Sequence, residues 1–294
     1  MKDFSNVKIK YKKDTNPYTG MPVYGFKVYT NVDSFAKISG HRFVNLITTD
    51  DYFNNDLQTL LGFLKLQPPI ESPYITCGNE LEQPVIDKVT ELYGLSDVET
   101  FGFEDLENGT EDFHFIRDLE FTDENGERVT GEVKTFYNKK KLTGWENIVP
   151  DPHVSWWLQL RLELEILKPV GGKGRIFYYF VDKPTMNAVL AGRPYTIKPK
   201  NLFASDYIVK RHEDDRDPFI EKHFGYHGIY TFGDLKRQAF LKRDELAQRY
   251  VDDETGEYFY YVQVPITYPW YEKSNHVENF IEETSKHIEF EEEL

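Results

Sequence analysis

Apolar positions change period along this chain, and the changes mark its elements. From Asp112 to Thr135 the period is two: Phe113, Phe115, Leu119 and Phe121 alternate with His114, Ile116 and Asp118. A return strand places Val129, Val133 and Thr135 on one face and Thr130, Glu132 and Lys134 on the other. The pattern predicts a hairpin turning at Asp123-Glu124-Asn125-Gly126, since Asn-Gly between alternating segments is a strong hairpin signal.

Elsewhere the period lengthens to that of a helix. Helices are expected from Asp33 or Ser34 to about Ile47, Asn55 to Leu66, Gly78 to Tyr93, His153 to Leu167, Asp234 to Tyr250 and Glu272 to His287. The third has the clearest stripe, Leu81, Val85, Ile86, Val89 and Leu92, and Gly94 stops it. Pro68, Pro69 and Pro73 before it read as an extended link. Strands are expected at 7–11, 23–29, 98–103, 175–181, 207–209 and 258–264. The segment 184–256 is the least clearly patterned.

Register decides whether the hairpin can carry chemistry. A two-residue loop, Asn125-Gly126, would put Asp118 and Glu132 on opposite faces. A three-residue loop, Glu124 to Gly126 with Gly126 left-handed, pairs Asp118 directly with Glu132. Opposed carboxylates repel unless something cationic lies between them. A divalent cation such as Mg²⁺ meets that requirement. Lys134 projects from the same face, and two acids with a lysine suit metal-assisted phosphodiester cleavage. The plainer alternative is a solvated polar face on a hairpin.

Glu82 edges the apolar stripe of the third helix, and Gln159 sits in an apolar turn beside Trp156 and Trp157. A buried amide needs partners, so Gln159 belongs to a network or reaches a ligand.

Composition narrows the possibilities. The formal charge is −15, which excludes a generally nucleic-acid-seeking surface but leaves room for a local basic groove. Lys139, Lys140 and Lys141, just past Lys134, form the densest basic run and the first candidate for phosphate contact. The single cysteine, Cys77, rules out an internal disulfide and cysteine-built metal sites. No apolar run reaches the roughly 20 residues of a membrane span, and the N-terminus lacks a signal pattern, so a cytoplasmic protein is expected. Gly171, Gly172 and Gly174 follow a helix and precede a strand, the wrong order for a phosphate-cradling loop. His223 and His227 flank Gly225, which weakens the helix that would align them as ligands.

An acid two residues before a lysine is a weak motif, and with 50 acidic residues chance matches are expected. Two occur: Glu132-Val133-Lys134, on a strand with an upstream aspartate, and Asp234-Leu235-Lys236, at a helix start with none. The second serves as an internal control.

The order Glu82, Asp118, Glu132-Val133-Lys134, Gln159 resembles the PD-(D/E)xK nuclease superfamily, and within it the lambda-exonuclease-type (YqaJ-like) viral recombination nucleases. Gly78 to Val85 is similar to that family's glycine-to-glutamate helix start, Gly131 to Thr135 to its core strand, and His153 to Leu164 to the following helix. Ile38-Ser39-Gly40-His41-Arg42 is the weakest match. The likeness spans about 34–181 and again 258–287. Arg117-Asp118-Leu119 departs from the usual Pro-Asp-Gly, and Glu163 stands where related nucleases often carry tyrosine.

The resemblance implies an α/β (α+β) fold: one nuclease domain over 1–294, with a restriction-endonuclease-like core of mixed sheet flanked by helices. That core covers about 34–181 and 258–290, with 184–256 as an insertion. It implies Lys134, Glu132, Asp118, Glu82 and Gln159 as catalytic residues. One or two Mg²⁺ or Mn²⁺ ions would be held by Asp118, Glu132, Glu82 and the Val133 carbonyl. Lys139, Lys140, Lys141, Lys173, Arg175, Ser39 and Arg42 are its candidates for DNA contact. The implied activity is 5′-to-3′ exonuclease action on double-stranded DNA. A ring-shaped homo-oligomer and a single-strand annealing protein are the implied partners. A restriction-type endonuclease, and a non-catalytic DNA-binding subunit on a degenerate fold, are the alternatives.

Overall fold

A computed structural model describes residues 4, 6–47, 56–67, 72–101, 110–137, 154–167, 172–208, 212–265, 267–268, 271–272 and 274–293. The chain is mixed α/β and divides into two compact units. One comprises Ser39–Val44 and Ile70–Asp234; the other comprises Met1–Ile38, Asn45–Pro69 and Leu235–Leu294. Helix α1 (Gly40–Ile47) and helix α7 (Phe232–Leu246) each contribute to both.

The unit containing the central hairpin is built on a five-stranded mixed sheet. In the order β3 (Ser96–Thr100), β4 (Leu119–Thr122), β5 (Arg128–Phe136), β6 (Lys173–Phe180) and β7 (Leu202–Ile208), all neighbours are antiparallel except β5 and β6. Helix α3 (Pro73–Tyr93) supplies Leu81, Val85, Ile86 and Val89 to a core with Leu119, Phe121, Val129, Val133, Phe177 and Tyr179. Helix α4 (Val154–Leu167) supplies Leu160 and Leu164 to a second core with Phe136, Ile176, Tyr178 and Phe180. Each such buried side chain stabilises the packing by about 1.5–3 kcal/mol. The alternation of β5 thus divides its side chains: Val129 and Val133 turn to the α3 core, and Phe136 turns to the α4 core with the even-numbered positions.

α3 begins five residues before the sequence pattern places it. Pro73 occupies the first turn, where its missing N–H costs nothing, and Gly94 closes the helix in the left-handed conformation. Pro73 is therefore a helix start, not part of an extended link. Two shorter helices, α5 (Lys183–Leu190) and α6 (Pro218–Phe224), lie in the stretch whose pattern was weakest. Each starts with Pro directly after an aspartate whose side chain accepts a backbone N–H.

The other unit has a five-stranded sheet ordered β12 (Glu289–Glu292), β1 (Lys8–Thr15), β2 (Pro22–Tyr29), β9 (Tyr258–Pro265) and β8 (Arg249–Val251), with only β12 and β1 parallel. Its core is aromatic, with Tyr24, Phe26 and Tyr260 fully buried. Helix α2 (Asp56–Phe63) packs on β9; helix α8 (Ser274–Thr284) and a short ladder of β10 (Thr267–Tyr268) with β11 (Tyr271–Glu272) complete the unit. The helix expected from Asp33 starts only at Gly40. Before it, Phe35 stacks on Phe63 at 5.3 Å and the Ala36 N–H reaches the Phe63 carbonyl at 2.8 Å, contacts that hold this segment outside the helix.

Candidate active site

The turn takes the three-residue form. Asp123 N–H donates to the Glu127 carbonyl, leaving Glu124-Asn125-Gly126 as the loop, and Gly126 has φ +78°. The Asp123 carboxylate accepts from the Asn125 and Glu127 N–H groups, each at 2.9 Å. The ladder pairs Leu119 with Gly131, so the next step of that register sets Asp118 against Glu132.

The ladder itself stops at Leu119, short of the strand start expected at Phe113. Asp118 instead turns its carboxylate to the strand opposite and accepts the Val133 N–H at 2.6 Å. A side-chain acceptor here takes the place of a backbone one.

Glu132 is the centre of the cluster. It is 1% exposed, while the Lys134 side chain is 22% exposed, so the acid is desolvated and the lysine reaches the rim. Lys134 Nζ donates to Glu132 Oε1, and the Gln159 amide donates to the same oxygen at 2.8 Å. Gln159 Oε1 accepts from Lys134 at 3.2 Å, closing a triangle among the three side chains. Glu132 Oε2 is buried with no partner.

Electrostatics follow from that burial. Desolvation pushes the Glu132 pKa up to about 8, with Asp118 and then Glu82 adding to the rise and Lys134 opposing it. Burial likewise raises Asp118, against the pull of Lys134 and the Val133 N–H. Glu82, at the solvent edge of α3, is raised by burial and by Asp118. Burial works against the Lys134 charge, but Glu132 and Asp118 outweigh it and lift the pKa above the ordinary lysine value. Four charged groups thus share one site.

Three of the residues predicted for catalysis, Glu132, Lys134 and Gln159, touch one another, and Asp118 and Glu82 lie within their field. Ser39 caps α1, its hydroxyl accepting the Arg42 N–H at 3.3 Å, and Arg42 is half-buried. Lys139, Lys140 and Lys141 lie outside the described residues.

Lys173 and Arg175 are not placed as phosphate contacts. Lys173 is held by Asp123 at 2.5 Å and Glu127 at 3.0 Å; Arg175, buried, is held by Asp206 and by Glu124 at 3.2 Å. Both are spent on the hairpin turn, where they fix the loop that sets the register.

The control motif is a helix cap. Asp234 accepts the Tyr230 and Thr231 N–H groups at 3.1 Å each, and the Thr231 hydroxyl accepts the Asp234 N–H at 3.0 Å.

Two residues at the site were not among the sequence candidates. Glu163, one helical turn beyond Gln159, is fully buried with both carboxylate oxygens unpartnered. Its spacing of four from Gln159 was the available signal. His41, at the start of α1, has its pKa lowered by desolvation and then by Lys134 and Arg42.

The donor chemistry suits a hard divalent cation: carboxylate oxygens, one of them orphaned, raise one another's pKa for want of a positive charge. Among the described residues, no three His, Cys, Asp or Glu side chains already converge closely enough to hold an ion. Also among the described residues, no helix is long and apolar enough to cross a membrane.

No protein-family model matches the chain, and no curated protein matches it in sequence. Among solved structures, the chain is similar to an alkaline exonuclease (LHK-Exo) from Laribacter hongkongensis, at TM-score 0.44 and 12% identity, covering 71% of this chain and 89% of that one. The same enzyme in complex with dAMP gives a TM-score of 0.45 at 12% identity, over 85% and 94% of the two chains. The structure of SSO0001 gives 0.36 at 13% identity, over 71% and 75%.

Proposed function

We propose that this chain is a metal-dependent nuclease that hydrolyses DNA phosphodiester bonds. The observation that carries the reading is the register that sets Asp118 against Glu132, with Lys134 and Gln159 closing on the same Glu132 oxygen. A solvated polar face would not bury an acid to 1% exposure beside two further carboxylates.

Asp118, Glu132, the Val133 carbonyl and Glu82 would hold Mg²⁺ or Mn²⁺. When bound, such an ion supplies Lewis acidity toward the phosphoryl oxygen and makes its water more acidic. Lys134 brings a permanent positive charge to the rim, where charge builds on the transferring phosphoryl group. Gln159 orients both partners, accepting from Lys134 and donating to Glu132. Burial of Glu132 excludes water from its side of the site and strengthens each of these interactions.

The choice of 5′-to-3′ exonuclease action on duplex DNA comes from the sequence resemblance, as do the annealing-protein partner and ring assembly. End-labelled linear duplex and a covalently closed circle, each digested with Mg²⁺ or Mn²⁺, test the choice. Progressive loss of the linear duplex from its 5′ ends, with the circle intact, supports it. Cleavage of the circle would assign the same site to an endonuclease. No cation-dependent cleavage of either would overturn the nuclease reading.

A further inference from the structure

The site as it stands contains a conflict. Both donors to Glu132, Lys134 and Gln159, use Oε1, yet a cation held by Glu132 must draw on the same carboxylate. Withdrawing Glu132 toward a cation leaves the Lys134 ammonium with the Gln159 carbonyl oxygen, 3.2 Å away. An ammonium with one neutral acceptor in a mostly buried position is poorly satisfied.

Glu163 supplies what is missing. It projects from α4 one turn past Gln159, on the side of the sheet that Glu132 and Lys134 face. A Cβ added to Gly40 would meet Gln159 Cγ at 2.7 Å and Glu163 Oε1 at 3.6 Å, so both side chains lie against the start of α1. Glu163 is 0% exposed, and neither of its oxygens has a partner. Lys134 lies within its electrostatic reach. An acid kept in this condition destabilises the fold, and an apolar side chain of similar size would pack there at lower cost.

We propose that Glu163 is the reserve acceptor for Lys134, taking over its ammonium when Glu132 is drawn to a bound cation. It is a positioning residue, and the role rests on the nuclease reading above. Its own measurements are cation affinity and thermal stability, which are independent of turnover.

The full chain and the variants Glu163→Leu and Glu163→Gln are compared by Mn²⁺ calorimetry, thermal melting and cleavage of linear duplex. Glu163→Leu should melt at or above the wild type, bind Mn²⁺ about tenfold or more weakly and lose turnover by a similar factor, the range for residues that orient metal ligands. Glu163→Gln keeps an acceptor oxygen and should return to within about threefold of wild type in both affinity and turnover, well short of that loss. If Glu163→Leu does not fold, Glu163→Met is read in its place. Wild-type affinity and turnover in the apolar variant would overturn the inference, as would a Glu163→Gln variant no better than the apolar one. A wild-type chain that neither binds Mn²⁺ nor cleaves DNA overturns the nuclease reading and this role with it. A competent wild type beside an equally competent Glu163→Leu overturns this role alone.

Discussion

Glu132-Val133-Lys134 and Asp234-Leu235-Lys236 share one pattern of residue types and have opposite fates. In the first, the acid is on a strand, 1% exposed, with its pKa pushed up to about 8 by burial and by Asp118. In the second, the acid caps a helix by accepting two backbone N–H groups. Spacing is the same in both, so spacing alone carries no chemistry. What separates them is desolvation, a second carboxylate across the ladder and an amide from α4 that orients the lysine.

Breaking the comparison at the lysines should give the largest effect. Lys134→Ala should fold normally and lose cation-dependent cleavage by about two orders of magnitude or more, the scale of a lost electrostatic stabiliser. Lys236→Ala should cleave within about twofold of wild type, because it touches none of the groups that stabilise the transition state. Equal losses in the two variants would erase the distinction.

The acids give the next effect, visible in stability. The fold raises Glu132 above its unfolded value of 4.5, so it favours the protonated form. That contribution is fully present below pH 4.5 and is lost as pH rises through about 8. Without a divalent cation, the melting temperature of the wild type should therefore fall across this window relative to Glu132→Gln, and Mn²⁺ should reverse the fall at its upper end. A parallel pH dependence in the two proteins would show that Glu132 is not the group responsible. Asp234→Ala should lose about 1 kcal/mol of stability with its cap, at unchanged cleavage below the melting transition. Denaturant titration of this variant beside the wild type reads that loss.

The smallest effect tests the turn that brings Asp118 and Glu132 together. Gly126→Ala forces a Cβ into a φ of +78° and should cost about 1 kcal/mol by chemical denaturation. Cleavage should fall with it only if the register slips. Retained cleavage with reduced stability is the expected result, since Asp123 and Lys173 still pin the loop.

Much of this site was legible in the sequence because its geometry is local. Asn125-Gly126 limited the turn to two registers, and the period of two placed Lys134 beside Glu132. Gln159 stood out as an amide among tryptophans. The expected mixed α/β architecture with sheets flanked by helices is present, including the α3 stripe of Leu81, Val85, Ile86 and Val89.

What escaped depends on partners distant in sequence or on competition between local forces. Phe35 has helix-like spacing but stacks on Phe63, and so stays outside α1. Pro73 carries the same breaker signal at a helix start as in a link, and only the following turn distinguishes the two. Lys173 and Arg175 look like a basic pair until Asp123, Glu124 and Asp206 fold onto them. Glu163 gave no signal of burial because carboxylates are seldom buried without partners.

The central claim is that Glu132 and Lys134 form a cation-dependent cleavage site. Single-turnover digestion of a 5′-labelled duplex by wild type and Lys134→Ala, with Mn²⁺ and with chelator, tests it most directly. Cleavage by the wild type with Mn²⁺ alone, and by the variant in neither condition, is the predicted result. Cleavage by Lys134→Ala at near the wild-type rate, or by the wild type in chelator, would contradict it.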